Sequence, residues 1–224
     1  VRSKPFRDRL DAGRALAETL ARTPRDAVVL ALPRGGVPVA FQVARFLAAP
    51  LDVLVVRKLG VPGQEELAMG AVAPGGARVL NPEVVAGVPD APRALEEAEV
   101  RERAELERQE ALFRDGRPPL DLTGRTALLV DDGLATGATM RVAVVAARQA
   151  GARRVHVGVP IGAEDVCEAL AQDADDVRCV RHVRQLGSVG DWYRDFRQTT
   201  DDEVRRLLGA VATIHAPDPL AADA

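Results

Sequence analysis

Four short aliphatic runs punctuate the chain: Ala27–Leu32, Leu51–Val56, Thr126–Val130 and Val155–Ile161. Each is too short for a helix, and nearly every position in it is apolar. That is the pattern of a strand buried on both faces. A fifth run, Val177–Val183, is more polar and is expected to be the last strand of the same sheet. Between the runs lie stretches with helical spacing. One starts at an Asp8 or Asp11 cap and extends to about Thr23, and others cover Val37–Leu47, Met140–Gln149 and Ala163–Ala171. Strands that alternate with helices predict an α/β fold: a mostly parallel, twisted sheet with helices on both faces.

The middle and the end break this rhythm. Leu59–Gly76 is loop-rich, with a short strand expected at Leu67–Val72 and a hairpin partner at Arg78–Leu80. Pro92–Phe113 is a charged helix with a thin apolar stripe of Leu95, Ala98, Ala104, Ala111 and Leu112. Glu97 and Arg101, and Glu99 and Arg103, are spaced as helical ion pairs. Arg114–Leu122 is a breaker, and its Arg114 and Arg117 are spare cations. Thr199 or Thr200 caps a helix over Asp201–Leu208. The expected organisation is one domain over residues 1–215. An Ala/Pro/Asp-rich tail, expected to be disordered, follows over 216–224.

Composition narrows the possibilities. The chain has 224 residues, enough for one α/β domain with additions. Only 3% of its residues are aromatic, so the core must be built from Val, Leu, Ala and Ile. A net charge of -3 argues against a general nucleic-acid or membrane surface. Cys167 and Cys179 form no CxxC, which suggests buried thiols in a reducing compartment. Neither a signal peptide nor an apolar span of roughly 18 residues is evident, so a cytoplasmic protein is expected. Nearly all basic residues are Arg; Lys4 and Lys58 are the exceptions, which singles out Lys58 as a compact point charge.

The most informative stretch is Arg125–Met140, RTALLVDDGLATGATM. An aliphatic strand runs into Asp131 and Asp132. A loop of small residues follows, and then a helix. Ala135, Thr136, Gly137, Ala138 and Thr139 suit a phosphate: small residues let the backbone approach it, and a helix N-terminus presents unpaired N–H groups. The two aspartates would repel a phosphate. Their natural partners are ribose hydroxyls and a Mg²⁺ ion. Two more strand ends carry candidate anion ligands: Arg34, Gly35 and Gly36 after the first strand, and Arg57 and Lys58 after the second. Asp191, Trp192 and Tyr193 gather the scarce aromatics beside a carboxylate, either to contact a planar base or to fill a small core. The three histidines, His156, His182 and His215, form no ligand cluster in the sequence.

Leu128–Asp132 followed by Ala135–Thr139 resembles the phosphoribosyl-pyrophosphate (PRPP) signature of the type I phosphoribosyltransferases. The overall pattern is most similar to a little-characterised bacterial branch of that family. The resemblance covers most of the chain, with three strand-end motifs in the expected order. It implies a Mg²⁺-dependent transferase of nucleotide metabolism that moves phosphoribosyl from PRPP to a nitrogenous acceptor. It assigns the 5-phosphate to Ala135–Thr139, and ribose and metal to Asp131 and Asp132, directly or through water. It assigns pyrophosphate to Arg34, Gly35, Gly36, Arg57 and Lys58, with Asp131, Asp132 and Lys58 as the catalytic set. It further implies an unusual peptide geometry in the Leu32–Gly36 loop, a small hood and a flexible loop over the site drawn from about 59–121 and 184–215, and a homodimer. Two other readings stay open: a PRPP- or nucleotide-sensing regulator without turnover, and another reaction on phosphorylated ribose.

Overall fold

The computed structural model describes residues 4–119 and 121–214, apart from the side chains of 65, 66 and 212–214. The expected tail and His215 lie outside the described residues. In chain order the elements are α1 (Arg9–Thr19), β1 (Ala27–Ala31), α2 (Gly36–Leu47), β2 (Leu51–Val53), β3 (Arg57–Val61), β4 (Gln64–Val72), β5 (Arg78–Leu80), α3 (Pro82–Ala86), α4 (Ala91–Arg114), β6 (Thr126–Val130), α5 (Ala138–Gln149), β7 (Arg154–Ala163), α6 (Glu164–Leu170), β8 (Asp176–Val183) and α7 (Asp201–Ile214).

Five strands form one sheet in the order β2-β1-β6-β7-β8, and every neighbouring pair is parallel. Alternate residues serve opposite faces, as the pleat requires. Val29 and Ala31 of β1, with Leu128 and Val130 of β6, pack against α1, α2 and α7. Val28 and Leu30, with Ala127 and Leu129, pack against α5 and α6. The helices therefore cover both faces, and the core is aliphatic as the composition demands.

The caps follow from local chemistry. Asp8 accepts from Asp11 N at 2.7 Å and starts α1. That helix ends at Thr19, before the expected Thr23, and Leu20 caps it with its N–H donating to the Leu16 and Ala17 carbonyls. Thr200, not Thr199, caps α7 by accepting from Glu203 N at 3.2 Å. The short helix α3 was not anticipated, although Asn81 before Pro82 is a recognisable start signal.

The largest departure from expectation concerns the second strand. β2 stops at Val53, and Leu54 N still bonds Ala31 O at 2.9 Å. Beyond that point β1 has ended, so the chain finds no further ladder to join. Val55 and Val56 carry it away, and Arg57 opens β3 in a second, antiparallel sheet of β3-β4-β5. Arg57 and Lys58 thus begin an arm and do not end a core strand.

α4 braces this arm. Its buried contacts are Ala94, Ala98, Leu106 and Phe113, while Ala104 and Ala111 point to solvent. Arg57 pairs with Glu102 at 2.8 Å, and Arg78 with Glu99 at 2.9 Å. Glu99 also takes Arg103, as its spacing predicts, but Glu97 pairs with Arg93 and leaves Arg101 to Glu102. Arg114 is no spare cation. It is nearly buried, pairs with Asp52 at 3.2 Å and with Glu110, and donates to Val53 O. Arg117 donates to Arg114 O at 2.9 Å.

Candidate functional site

The chain order of the sheet reverses between β1 and β6, where the connections from the two strands leave in opposite directions. Open α/β sheets form a crevice at such a point, at the carboxyl ends of the strands. Two loops emerge there: Leu32–Gly36 after β1, and Asp131–Gly137 after β6. They touch. A Cβ on Gly35 would lie 2.1 Å from Asp132 Oδ2, and one on Gly36 would lie 2.7 Å from Val130 O and 3.0 Å from Asp131 Cα. Glycine is required at both positions by this close approach. The Pro33–Arg34 peptide bond in the first loop is cis.

Asp131 and Asp132 occupy the floor of the crevice. Asp131 Oδ1 accepts from Asp132 N at 2.8 Å. Burial pushes the Asp131 carboxyl well above the usual carboxylate range, and the Asp132 charge adds to this. Burial also raises the Asp132 carboxyl, but Arg9 opposes the shift. The Arg9 Nε donates to Asp132 Oδ2 at 2.7 Å, with the two side chains 11% and 15% exposed. The Arg9 guanidinium also donates to Arg197 O at 2.7 Å and lies 3.8 Å from the Phe196 ring centroid. Arg9 was not foreseen. It lies 123 residues from Asp132, and no spacing signal links the two.

Tyr193 is buried, and its hydroxyl donates to Asp132 O at 2.6 Å. Its pKa is raised, chiefly by burial and then by the Asp132 charge. The ring lies between Phe6 and Phe196, with centroids 5.7 and 5.0 Å away. Trp192 is half-buried and donates to Leu186 O at 3.1 Å. The Asp191 carboxylate accepts from Ser188 N at 3.2 Å within a 3-10 turn. Val189 of this turn lies over Gly133, where a Cβ would meet it at 2.5 Å. The segment 187–196 is therefore a wall against the acidic loop. Beside Arg9 a cavity of about 350 Å³ opens between Pro38, Arg197, Thr200 and Glu203.

The 5-phosphate candidates adjoin the acidic pair. Gly137 has φ of 74°, a left-handed conformation that glycine adopts freely, and it starts α5. Ala135, Thr136 and Ala138 are exposed, and Thr139 is partly so. The first N–H groups of α5 have no partner within their own helix and lie where an anion would approach. Arg34 stands in the neighbouring loop, held 2.8 Å from Asp201 on α7. Lys58 is exposed at the start of β3, while Arg57 is committed to Glu102. The structure thus joins Gly35 and Gly36 to Asp131 and Asp132, and it places Arg57 against α4. As hard oxygen donors, the two carboxylates suit Mg²⁺, which commonly takes one or two carboxylates together with substrate phosphates.

Comparison with known proteins agrees with this geometry. Residues 6–197 match the phosphoribosyl transferase domain family. The proteins of Mycobacterium tuberculosis H37Rv and CDC 1551 named "Putative phosphoribosyl transferase" Rv0571c and MT0597 are each 53% identical over 206 residues, or 92% of this chain. The chain spans about half the length of these relatives, 46% of each. The crystal structure of TT1426 from Thermus thermophilus superposes with a TM-score of 0.78 at 43% identity, covering 91% of this chain and 97% of that one. Among the described residues no helix is long and apolar enough to cross a membrane. On the family match and these relatives, the chain belongs to the type I phosphoribosyltransferase family.

Proposed function

We propose that the protein transfers the 5-phosphoribosyl group of PRPP to a nitrogenous base or similar acceptor, with release of pyrophosphate and dependence on Mg²⁺. The observation that carries this reading is the contact of two anion-suited loops around a carboxylate pair at the switch point. The 5-phosphate would lie in Ala135–Thr139 at the start of α5. Asp131 and Asp132 would accept the ribose hydroxyls. Gly35 and Gly36 would admit the pyrophosphate to their backbone, with Arg34, Arg57 and Lys58 as its cations. Arg34 and Arg57 would first have to give up Asp201 and Glu102.

Charge dictates the chemistry. As the C1–oxygen bond of PRPP lengthens, positive charge grows on the ribose and negative charge on the leaving pyrophosphate. The carboxylates beneath the ring oppose the first change, and the cations oppose the second. Asp131 and Asp132 would hold Mg²⁺ directly or through water, and the ion would supply further stabilisation of the leaving phosphates. Arg9 opposes the effect of burial on Asp132 and orients its carboxylate until substrate hydroxyls compete for it. Trp192 and Asp191 are the proposed contacts for a planar acceptor, with Tyr193 beneath them. A homodimer in the cytoplasm is part of the same proposal, and sedimentation velocity would test the assembly.

The decisive measurement is pyrophosphate release from Mg²⁺-PRPP with a panel of purine and pyrimidine bases and a no-base control. Release that requires one base establishes the transferase and names the acceptor. Tight Mg²⁺-dependent PRPP binding without release would make the protein a sensor. Asp131→Asn and Asp132→Asn should each reduce turnover strongly with the fold intact, and unchanged turnover in both would remove their role. Trp192→Ala should raise KM for the base far more than KM for PRPP.

A further inference from the structure

Away from the acidic pair, Cys167 on α6 and Cys179 on β8 bring their sulfurs to 2.7 Å. Both are free thiols. Cys167 is buried and Cys179 is partly exposed. The contact is built into the sheet. Both sulfurs sit over Gly162 of β7, where a Cβ would lie 2.4 Å from Cys167 Sγ and 2.8 Å from Cys179 Sγ. Any side chain at residue 162 would push the sulfurs apart. His182 of β8 lies beside them, its ring nitrogen within 4.8 Å of both sulfurs.

This triad admits two chemistries, a soft metal ion or a disulfide, and the spacing separates them. Two thiolates on one tetrahedral zinc, each at about 2.3 Å from the metal, sit roughly 3.8 Å apart. The pair is much closer than that and would have to be prised open over the Gly162 backbone. A disulfide needs the sulfurs only slightly nearer than they are, at about 2.0 Å.

We propose that Cys167 and Cys179 are a thiol–disulfide pair that crosslinks α6 to β8. The partly exposed Cys179 meets a low-molecular-weight disulfide first. Its thiolate attacks one sulfur, the small S–S bond breaks, and one small thiolate leaves. The Cys167 thiolate then attacks Cys179 Sγ in the mixed disulfide and expels the second small thiolate. The two protons lost by the cysteines end on the two small thiols, so the protein is oxidised and the small disulfide reduced. In the resting pair the hydrogen bond between the sulfurs, with burial, pushes the Cys179 thiol up and favours the Cys167 thiolate, so the first attack follows loss of the Cys179 proton.

The crosslink would brace the phosphate-loop candidate from behind. Val166, next to Cys167, is the side chain a Cβ on Gly137 would strike at 2.7 Å. Leu134 of the same loop is hydrogen-bonded to β7 on both sides of Gly162, through Ile161 O at 2.9 Å and Ala163 N at 3.0 Å.

The test is to equilibrate the reduced full chain with graded ratios of reduced and oxidised glutathione, quench by alkylation, and weigh it. The expected product is lighter by two hydrogens, takes up no alkylating agent, and yields a peptide joining Cys167 to Cys179. Cys167→Ser should stop at a single glutathione adduct on Cys179. Oxidised wild type should melt several degrees above the reduced form. Two glutathione adducts, or two thiols still free at the most oxidising ratio, would overturn the proposal. So would one equivalent of zinc that survives desalting and is lost in His182→Ala. Equal melting temperatures for the two redox forms would remove the brace. None of these readouts depends on turnover of PRPP.

Discussion

β1 and β6 are buried along their whole length and contain no charged residue. In the neighbouring arm, β3 opens with Arg57 and Lys58, and α4 carries seven Glu and five Arg among its 24 residues. The sheet is joined by backbone ladders and aliphatic burial. The arm is joined to α4 by a smaller aliphatic seam, where Leu59, Met69 and Val72 share a cluster with Ala98 and Leu106, and by the guanidinium–carboxylate pairs of Arg57 and Arg78. Burial is non-directional and grows with area, whereas an ion pair depends on how far both partners leave water. The sheet should therefore behave as one unit, and the arm should loosen on its own.

The contrast predicts where substitutions hurt. The largest effect should come from the nearly buried pair that ties the end of α4 to Asp52 on β2 of the sheet. Arg114→Ala deprives Asp52 of its guanidinium and should cost about 3–5 kcal/mol in chemical denaturation. Replacing both partners with apolar residues, Arg114→Met with Asp52→Leu, should recover much of it. Equal losses for the single and the double variant would show that the pair itself supplies the stability. Leu129→Ala in the sheet should cost about 2–5 kcal/mol, with one cooperative transition.

The floor of the crevice lies at the end of the sheet yet carries charge, so it should break the rule in the other direction. The Asp131 carboxyl is raised in the folded state by burial and by Asp132. The folded protein therefore holds this proton more tightly than the unfolded chain does. Its contribution is favourable below the ordinary carboxylate range and is lost as pH rises through the shifted titration. Asp131→Asn removes that loss. It should raise the Tm at neutral pH by roughly 2–4 °C, on the order of 1 kcal/mol for a chain of this size, even as turnover falls. The gain should vanish in acid. A lower Tm at neutral pH would mean that the ionised carboxylate is stabilising.

Smaller effects belong to the exposed rim. Glu102→Gln frees Arg57 and should speed amide exchange in β3 by the equivalent of about 0.5–1 kcal/mol, leaving the exchange of β1 and β6 unchanged. Arg93→Ala, on the solvent side of α4, should leave the denaturation midpoint where it is at any salt concentration. A clear shift would mean that the exposed charges of α4 act as a network.

The same contrast governs what the sequence made legible. Thr126–Val130 forms a strand with the boundaries its aliphatic run predicts, because two-sided burial leaves a local signature. Leu51–Val56 carries the same signature but overshoots by three residues, because its end depends on where β1 stops. Gly35 and Gly36 stood out as small residues at a strand end, and the structure shows that they are where the first loop meets Asp131 and Asp132. Arg9 was not legible. Its role comes from a contact between distant parts of the chain, and an arginine on a helix of ordinary pattern gives no local sign of it. Tyr193 was found as a scarce aromatic, but the bond from its hydroxyl to the Asp132 carbonyl could be seen only in three dimensions.

The lack of room at Gly35 and Gly36 has a consequence for descent. A lineage in which either residue gains a side chain must move or lose the acidic pair in the same step. A lineage that abandons Asp132 first is released to vary at Gly35, whereas Gly36 stays held by the Val130 carbonyl. The two loops, nearly a hundred residues apart in the gene, should therefore persist together or decay together. Among descendants of this fold, the residue at 35 would report whether the Asp132 carboxylate opposite is retained.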